Sequence, residues 1–197
     1  MEQKDRIYET AFQLFTQVGY SGVTMDQIAR NCGIGKATLY KYFPSKEQML
    51  LDCIDYFTEK LGAEMESILA NPDLSPQRKA TGFIAPVVRF VSQIHGGAAL
   101  QDIRRNVPEA YEKIDRNRRR LIFANIVRIV EEGRKSGMFR QNLNSTLVAH
   151  VLIGAISHLA CPEILEEIGL PSGKLLKETL SVVWEGCLSE KGRGNGG

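Results

Sequence analysis

Cysteine is scarce and scattered in this chain: Cys32, Cys53, Cys161 and Cys187 are the four among 197 residues. Without a C-x-x-C pair they offer neither a zinc-ligand spacing nor a compact disulfide framework, and they read as buried free thiols of a reducing compartment. Histidine is scarcer still, and His95, His150 and His158 are too scattered for a metal triad. Neither a metal nor a cofactor is expected. No stretch approaches the roughly 18 uncharged apolar residues that span a bilayer. The start, Met-Glu-Gln-Lys-Asp-Arg, has mixed charge and no apolar run behind it, so a signal peptide is not expected either. These readings place the chain in the cytoplasm. It also lacks a nucleophile–base pair and a glycine-rich phosphate loop, which argues against an enzyme.

An excess of one charge sign is missing as well. Lys and Arg number 25 against 23 Asp and Glu, a net +2. That excludes a uniformly basic nucleic-acid coat, but a local patch depends on where the charges sit.

What the chain does have is helical periodicity. With 43% hydrophobic and 24% charged residues it has the composition of a globular chain. Ile7, Ala11, Leu14, Phe15 and Val18 recur at steps of three and four, one apolar stripe on a first helix that ends at Gly19. Thr24 with Gln27 forms a capping box for a second helix, closed by Gly33. A short third helix over 35–42 stops before Pro44, and Ser45 with Gln48 forms a second box opening a long fourth helix. Asn71 to Pro76 is a turn-rich connection. Helical segments follow over 77–94 with a kink at Pro86, then from Ala98 to Asn106 after the Gly96-Gly97 break, Pro108 to about Ser136, Ser145 to Ala160 and Ser172 to Leu188. The fold class is all-α, about nine helices, with no convincing strand. Residues 1–48 read as a helix-turn-helix domain, 49–190 as a second helical domain and 191–197 as a disordered tail.

The informative stretch is Thr24 to Lys46, within which the segment from Gln27 onward is free of acids. It holds four cations (Arg30, Lys36, Lys41 and Lys46) and the interleaved Tyr40 and Tyr42. Lysines neutralise phosphates and release counterions, and tyrosine hydroxyls donate to phosphate oxygens. Two short helices around a glycine turn, with small residues at Gly35 and Ala37, suit docking in a major groove. The bland alternative is a solvated face on an ordinary helix pair.

The run Phe15, Gly19-Tyr20, Thr24-Met25-Asp26-Gln27-Ile28-Ala29, Gly33-Ile34 and Lys36 through Glu47 resembles the DNA-binding domain of TetR/AcrR-type transcriptional regulators. Gly35 and Ala37 depart from the residues usual in that family. The resemblance implies phosphate contacts from Thr24 and Lys46, base-facing positions at Lys36, Ala37 and Thr38, and backbone contacts from Tyr40, Lys41 and Tyr42; Gly35, the N-cap before them, belongs to the same DNA-binding set. Ile28, Ala29, Ile34, Leu39 and Phe43 read as the small domain's core. The implied partner is a double-stranded, (pseudo)palindromic operator.

The same resemblance implies an effector cavity and a homodimer interface in the second half. Phe90, Ile94, Ile103, Phe123 and Val127 are candidates to line a cavity for a hydrophobic or aromatic effector, with plain core filling as the alternative. Leu152, Ile153, Ile156 and Leu159, with Leu176, Leu180, Val183 and Trp184, are candidates for a four-helix dimer interface, or for closing the monomer core. Arg116, Arg118, Arg119 and Arg120 read as a solvated basic face paired with Glu residues, with a second nucleic-acid site as the alternative. The expected function is a ligand-responsive regulator, a repressor released by its effector. The rival is a DNA-binding regulator without a small-molecule ligand, constitutive or controlled by a protein partner.

Overall fold

The structure, a computed structural model, describes residues 3–83, 85–87, 98–159 and 162–194. In chain order the helices are α1 (Gln3–Val18), α2 (Met25–Cys32), α3 (Lys36–Tyr42), α4 (Lys46–Leu69), α5 (Pro76–Gly82), α6 (Ala98–Asn106), α7 (Pro108–Lys135), α8 (Ser145–Leu159), α9 (Pro162–Ile168), α10 (Ser172–Cys187) and α11 (Glu190–Gly194). Among the described residues the only strand-like pairing is an isolated antiparallel bridge between Phe139 and Leu188. No helix among them is long and apolar enough to cross a membrane. The expected breaks at Pro86 and Gly96-Gly97 involve segments at 84 and 88–97 that lie outside the described residues, as do His95 and Cys161.

The chain divides into two compact units, residues 1–60 with 93–117, and residues 61–92 with 118–197. In the first, the α1 stripe of Ile7, Ala11 and Phe15 is buried with Ile28, Ala29 and Cys32 of α2, Leu39 of α3, and Met49, Leu50 and Cys53 of α4. Phe43 joins them after α3, and Tyr8 meets its ring edge-on at 5.4 Å while stacking on Tyr56 at 4.6 Å. Each large apolar side chain so enclosed contributes about 1.5–3 kcal/mol.

Residues 98–117 complete this unit from far along the sequence. Ile103, Val107 and Ala110 are buried in the same core. Lys113 pairs with Asp55 at 2.5 Å, and the Asn117 amide donates to the Thr58 hydroxyl at 3.3 Å. A helix-turn-helix read as residues 1–48 alone omits these supports.

The second unit packs Met65, Phe83, Ile122, Ile126 and Ile129 around Leu152 and Ile156 of α8 and Leu176, Leu180 and Trp184 of α10. Phe139 lies flat on Trp184, ring centroids 5.4 Å apart, and Gly133 admits it: a Cβ there would stand inside the Phe139 ring. Arg140 N–H donates to the Cys187 carbonyl (3.0 Å) and Ser189 N–H to the Met138 carbonyl (2.9 Å), binding the turn after α7 to the end of α10. Residues 190–194 form a helical turn whose Gly192 N–H donates to Ser189 Oγ (3.0 Å), so this part of the expected disordered tail is ordered by local hydrogen bonds.

The side chains assigned from sequence to the dimer interface fall largely inside this unit. Leu152, Ile156, Leu176, Leu180 and Trp184 are buried within the chain, and Ile153 and Val183 pack against the same core half-buried. Leu159 is half-buried. The alternative weighed for them, closing the monomer core, describes their positions. The exposed large apolar residues of these helices are Leu147 (60% exposed), Val151 (48%) and Val182 (71%).

Candidate nucleic-acid interface

Local chemistry fixes the helix-turn-helix. Thr24 Oγ1 accepts from the Gln27 N–H (3.2 Å) while the Thr24 N–H donates to Gln27 Oε1 (2.7 Å), so the capping box at the start of α2 is complete. At its other end Gly33 takes a left-handed φ of 66°, and the Ile34 N–H reaches back to the Ala29 carbonyl at 3.0 Å, ending α2 in the manner of a Schellman turn. Gly35 stands at the N-cap of α3 without a side-chain bond. The second expected box is half-formed. Ser45 Oγ accepts from the Gln48 N–H (3.0 Å), but the Gln48 amide turns to Asp52 (2.7 Å).

α3 buries Leu39 and turns the rest outward. Lys36, Ala37, Tyr40 and Lys41, at spacings i, i+1, i+4 and i+5, are exposed, as are Thr24, Gly35 and Tyr42, with Thr38 half-buried. Ile28, Ala29, Leu39 and Phe43 are buried beneath them, and Ile34 packs half-buried on the same core. The outward face is therefore polar and cationic over a rigid apolar base.

Three of the outward groups already have partners. The Lys36 ammonium pairs with Asp26 at 2.8 Å, which raises its pKa through the hydrogen bond and then the charge. Tyr42 Oη donates to Gln3 Oε1 at 3.0 Å. Thr24 Oγ1 lies 3.0 Å from Gln27 Oε1. All are exposed contacts that a phosphate can replace, since surface pairs of this kind are weak.

Lys46 is different. Its Nζ donates to the Tyr20 and Val23 carbonyls, 2.8 Å each, and sits 4.1 Å from the centroid of the Tyr20 ring. Burial pushes its pKa below the ordinary lysine value, with the Asp102 carboxylate acting in the opposite sense. The side chain assigned from sequence to a phosphate thus ties the α1–α2 turn to the start of α4.

The five cavity candidates are not brought together within one unit. Ile103 belongs to the first unit's core, while Phe123 and Val127 pack half-buried on the second unit's core. Phe123 meets His150 edge-on at 5.1 Å. Phe90 and Ile94 lie outside the described residues.

Sequence reasoning missed Asp26, Gln3 and Asp102. Asp26 stands one position before the acid-free segment, and its pairing with Lys36 crosses the α2–α3 turn, which helical spacing does not reveal. Asp102 accepts from the Ser21 N–H (2.7 Å) and Ser21 Oγ (2.8 Å), 81 residues away, and nothing local in the sequence signals that pairing.

Residues 7–53 match the model of the bacterial regulatory proteins of the tetR family. IcaR of Staphylococcus aureus (strain Newman), the negative HTH-type transcriptional regulator of the biofilm operon icaADBC, is 46% identical over 57 residues, 27% of this chain and 31% of that protein. YvaF, an uncharacterised HTH-type transcriptional regulator of Bacillus subtilis (strain 168), is 24% identical over 186 residues, 94% of this chain and 96% of that protein. The relatives of higher identity are matched over only 23% to 31% of their own length. Among solved structures, the transcriptional regulator FadR of Bacillus subtilis in complex with stearoyl-CoA shares the fold at a TM-score of 0.68 and 20% identity, over 93% of this chain and 98% of that one.

Proposed function

From a chain that belongs to the tetR family of bacterial regulatory proteins, we propose a ligand-responsive transcriptional repressor that binds a (pseudo)palindromic operator as a homodimer. The observation that carries this reading is the outward face of α3, with Lys36, Ala37, Tyr40 and Lys41 exposed together above the buried Leu39 and Phe43. That face presents phosphate-binding cations and tyrosine hydroxyls on a helix short and smooth enough to enter a major groove. Two such heads in a symmetric dimer address half-sites about one helical turn, ~34–36 Å, apart.

The dimer uses the outward residues of α8 and α10. Leu147 and Val151 share one side of α8, and Val182 is the most exposed large apolar residue of α10. Gly154 and Gly186 are open positions where a second helix can approach closely. Exposed apolar residues on two adjacent helices suit an isologous contact, in which the same patch meets itself.

Repression follows from occupancy, since a protein seated on a promoter excludes polymerase; the IcaR relative is a negative regulator. Release follows when an effector binds the DNA-incompetent arrangement better than the competent one, because only that difference in affinity shifts the population. A hydrophobic or aromatic effector is favoured by the apolar second unit and by the fold shared with a stearoyl-CoA complex. The test is selection of duplexes from a random pool, followed by fluorescence anisotropy on the selected site with and without stearoyl-CoA as the first effector probe. Selective retention of one duplex, weakened by an effector probe, supports the reading. Equal binding of selected and scrambled duplexes refutes it.

A further inference from the structure

We propose that Asp102 is a positioning residue of the DNA-binding head, its carboxylate latching the α1–α2 turn through Ser21 and so holding α2 in the arrangement that grips DNA. This rests on the DNA-binding reading and adds a residue from outside the segment that resembles the family's domain.

The geometry is specific. One carboxylate oxygen takes the Ser21 backbone N–H at 2.7 Å, and the other takes Ser21 Oγ at 2.8 Å. The Asn106 amide, one turn further along α6, donates to Asp102 Oδ1 at 2.7 Å and to its backbone carbonyl at 2.9 Å, which fixes the carboxylate's rotamer. Gly19 allows the approach. Its φ is +89°, and a Cβ there would stand 3.0 Å from Asp102 Oδ2, so a side chain at 19 would be both strained and in the way. The Ser21 N–H, first among the groups acting on it, holds the Asp102 carboxyl below its usual range, and Arg105 adds to this.

The latch sits at one end of a short chain of contacts. Ser21 follows Tyr20, whose carbonyl accepts from Lys46 Nζ, and Lys46 also holds the Val23 carbonyl, immediately before the N-cap Thr24 of α2. Asp102 and Lys46 thus secure the same turn from two sides, one through the N–H and hydroxyl of Ser21 and the other through the Tyr20 and Val23 carbonyls. α6 is itself anchored by Ile103 in the unit's core. With the latch open, the turn and the start of α2 sample further arrangements. If the DNA-competent fraction falls to a tenth, the apparent Kd rises tenfold.

The sign of the effect separates this from simple electrostatics. Asp102 is an anion on the unit that meets DNA, so deleting its charge would by Coulomb repulsion alone tighten binding. Positioning predicts the opposite. The experiment measures the salt-dependent affinity of the full chain for its selected duplex, for wild type, Asp102→Ala, Asp102→Asn and Ser21→Ala, together with the hydrogen-exchange rate of the Ser21 amide. Asp102→Ala is expected to weaken binding about tenfold with an unchanged salt slope, because no phosphate contact is lost. Asp102→Asn, which keeps an acceptor for the Ser21 amide, falls between that and wild type, and Ser21→Ala loses a few-fold. The Ser21 amide exchanges faster in Asp102→Ala. If Asp102→Ala does not fold, the Asp102→Asn and Ser21→Ala values decide the question. Wild-type or tighter affinity in Asp102→Asn and Ser21→Ala overturns the proposal, whatever the exchange rates. If wild type itself prefers no duplex, the DNA-binding reading fails and the proposal with it; if wild type binds selectively and the variants bind equally well, only the positioning role fails.

Discussion

Replacing Lys46 with Met tests whether this lysine serves the fold or the DNA. Met keeps the apolar stem and removes the ammonium, so the change isolates the two hydrogen bonds to the Tyr20 and Val23 carbonyls and the contact with the Tyr20 ring. A hydrogen bond from a charged donor contributes about 1.5–3 kcal/mol when well shielded. Lys46 is half-buried, and solvent screening brings the pair of bonds to about 1–2 kcal/mol together. The cation–π contact adds about 0.5–1 kcal/mol. The expected destabilisation is therefore about 2 kcal/mol. With a urea m-value of about 2–3 kcal/mol/M, the unfolding midpoint falls by about 0.7–1 M, measured at one protein concentration because dimerisation contributes to apparent stability. In the same samples, the slope of log K against log salt for operator binding should stay at the wild-type value, since Nζ is spent on carbonyls. Lys41→Ala should do the reverse, leaving stability unchanged and reducing the slope by about 1.8, about 0.9 for each of the two protomers. An unchanged midpoint with a slope reduced by about 1.8, about 0.9 per protomer, in Lys46→Met would refute this and restore Lys46 as a phosphate ligand.

Asp26→Asn frees Lys36 from its ion pair, so non-specific duplex affinity should rise a few-fold and become more salt-dependent; anisotropy on a scrambled duplex reads this, and weaker binding would contradict it. Val182→Glu puts a charge on the outward face of α10, so light scattering should find a monomer at concentrations where wild type is dimeric, with loss of tight operator binding; an intact dimer would remove α10 from the interface. Gly133→Ala drives a methyl into the Phe139 ring, and the overpacking should cost about 1–3 kcal/mol, visible as a lower melting temperature. An unaltered melting temperature would mean that Phe139 can shift away from Trp184 freely.

The sequence was most legible where local chemistry decides structure. Thr24, Gln27 and Gly33 announce both ends of α2 because caps act within a few residues, and the buried Ile7, Ala11 and Phe15 of α1 follow from helical spacing. The charge of Lys46 is visible in sequence, but its acceptors, the Tyr20 and Val23 carbonyls, are not. Ile103 was assigned to a cavity because periodicity finds an apolar face without saying which core receives it. The dimer candidates could not be separated from core residues for a related reason. α8 is apolar almost all round, with Leu147, Val148, Val151, Leu152 and Ile153 in close succession, so no stripe distinguishes Leu152, turned inward, from Leu147 and Val151, turned outward. Asp102 was invisible because its partner is 81 residues away.

A hydroxyl-radical footprint of the full chain on its selected duplex tests the central claim most directly. The account predicts two protected half-sites about 10–10.5 base pairs, ~34–36 Å, or a multiple of that, between centres, with protection at both lost when Lys41 and Tyr42 are replaced together by Ala. Uniform protection along the duplex, or a footprint that the double substitution leaves intact, would contradict it.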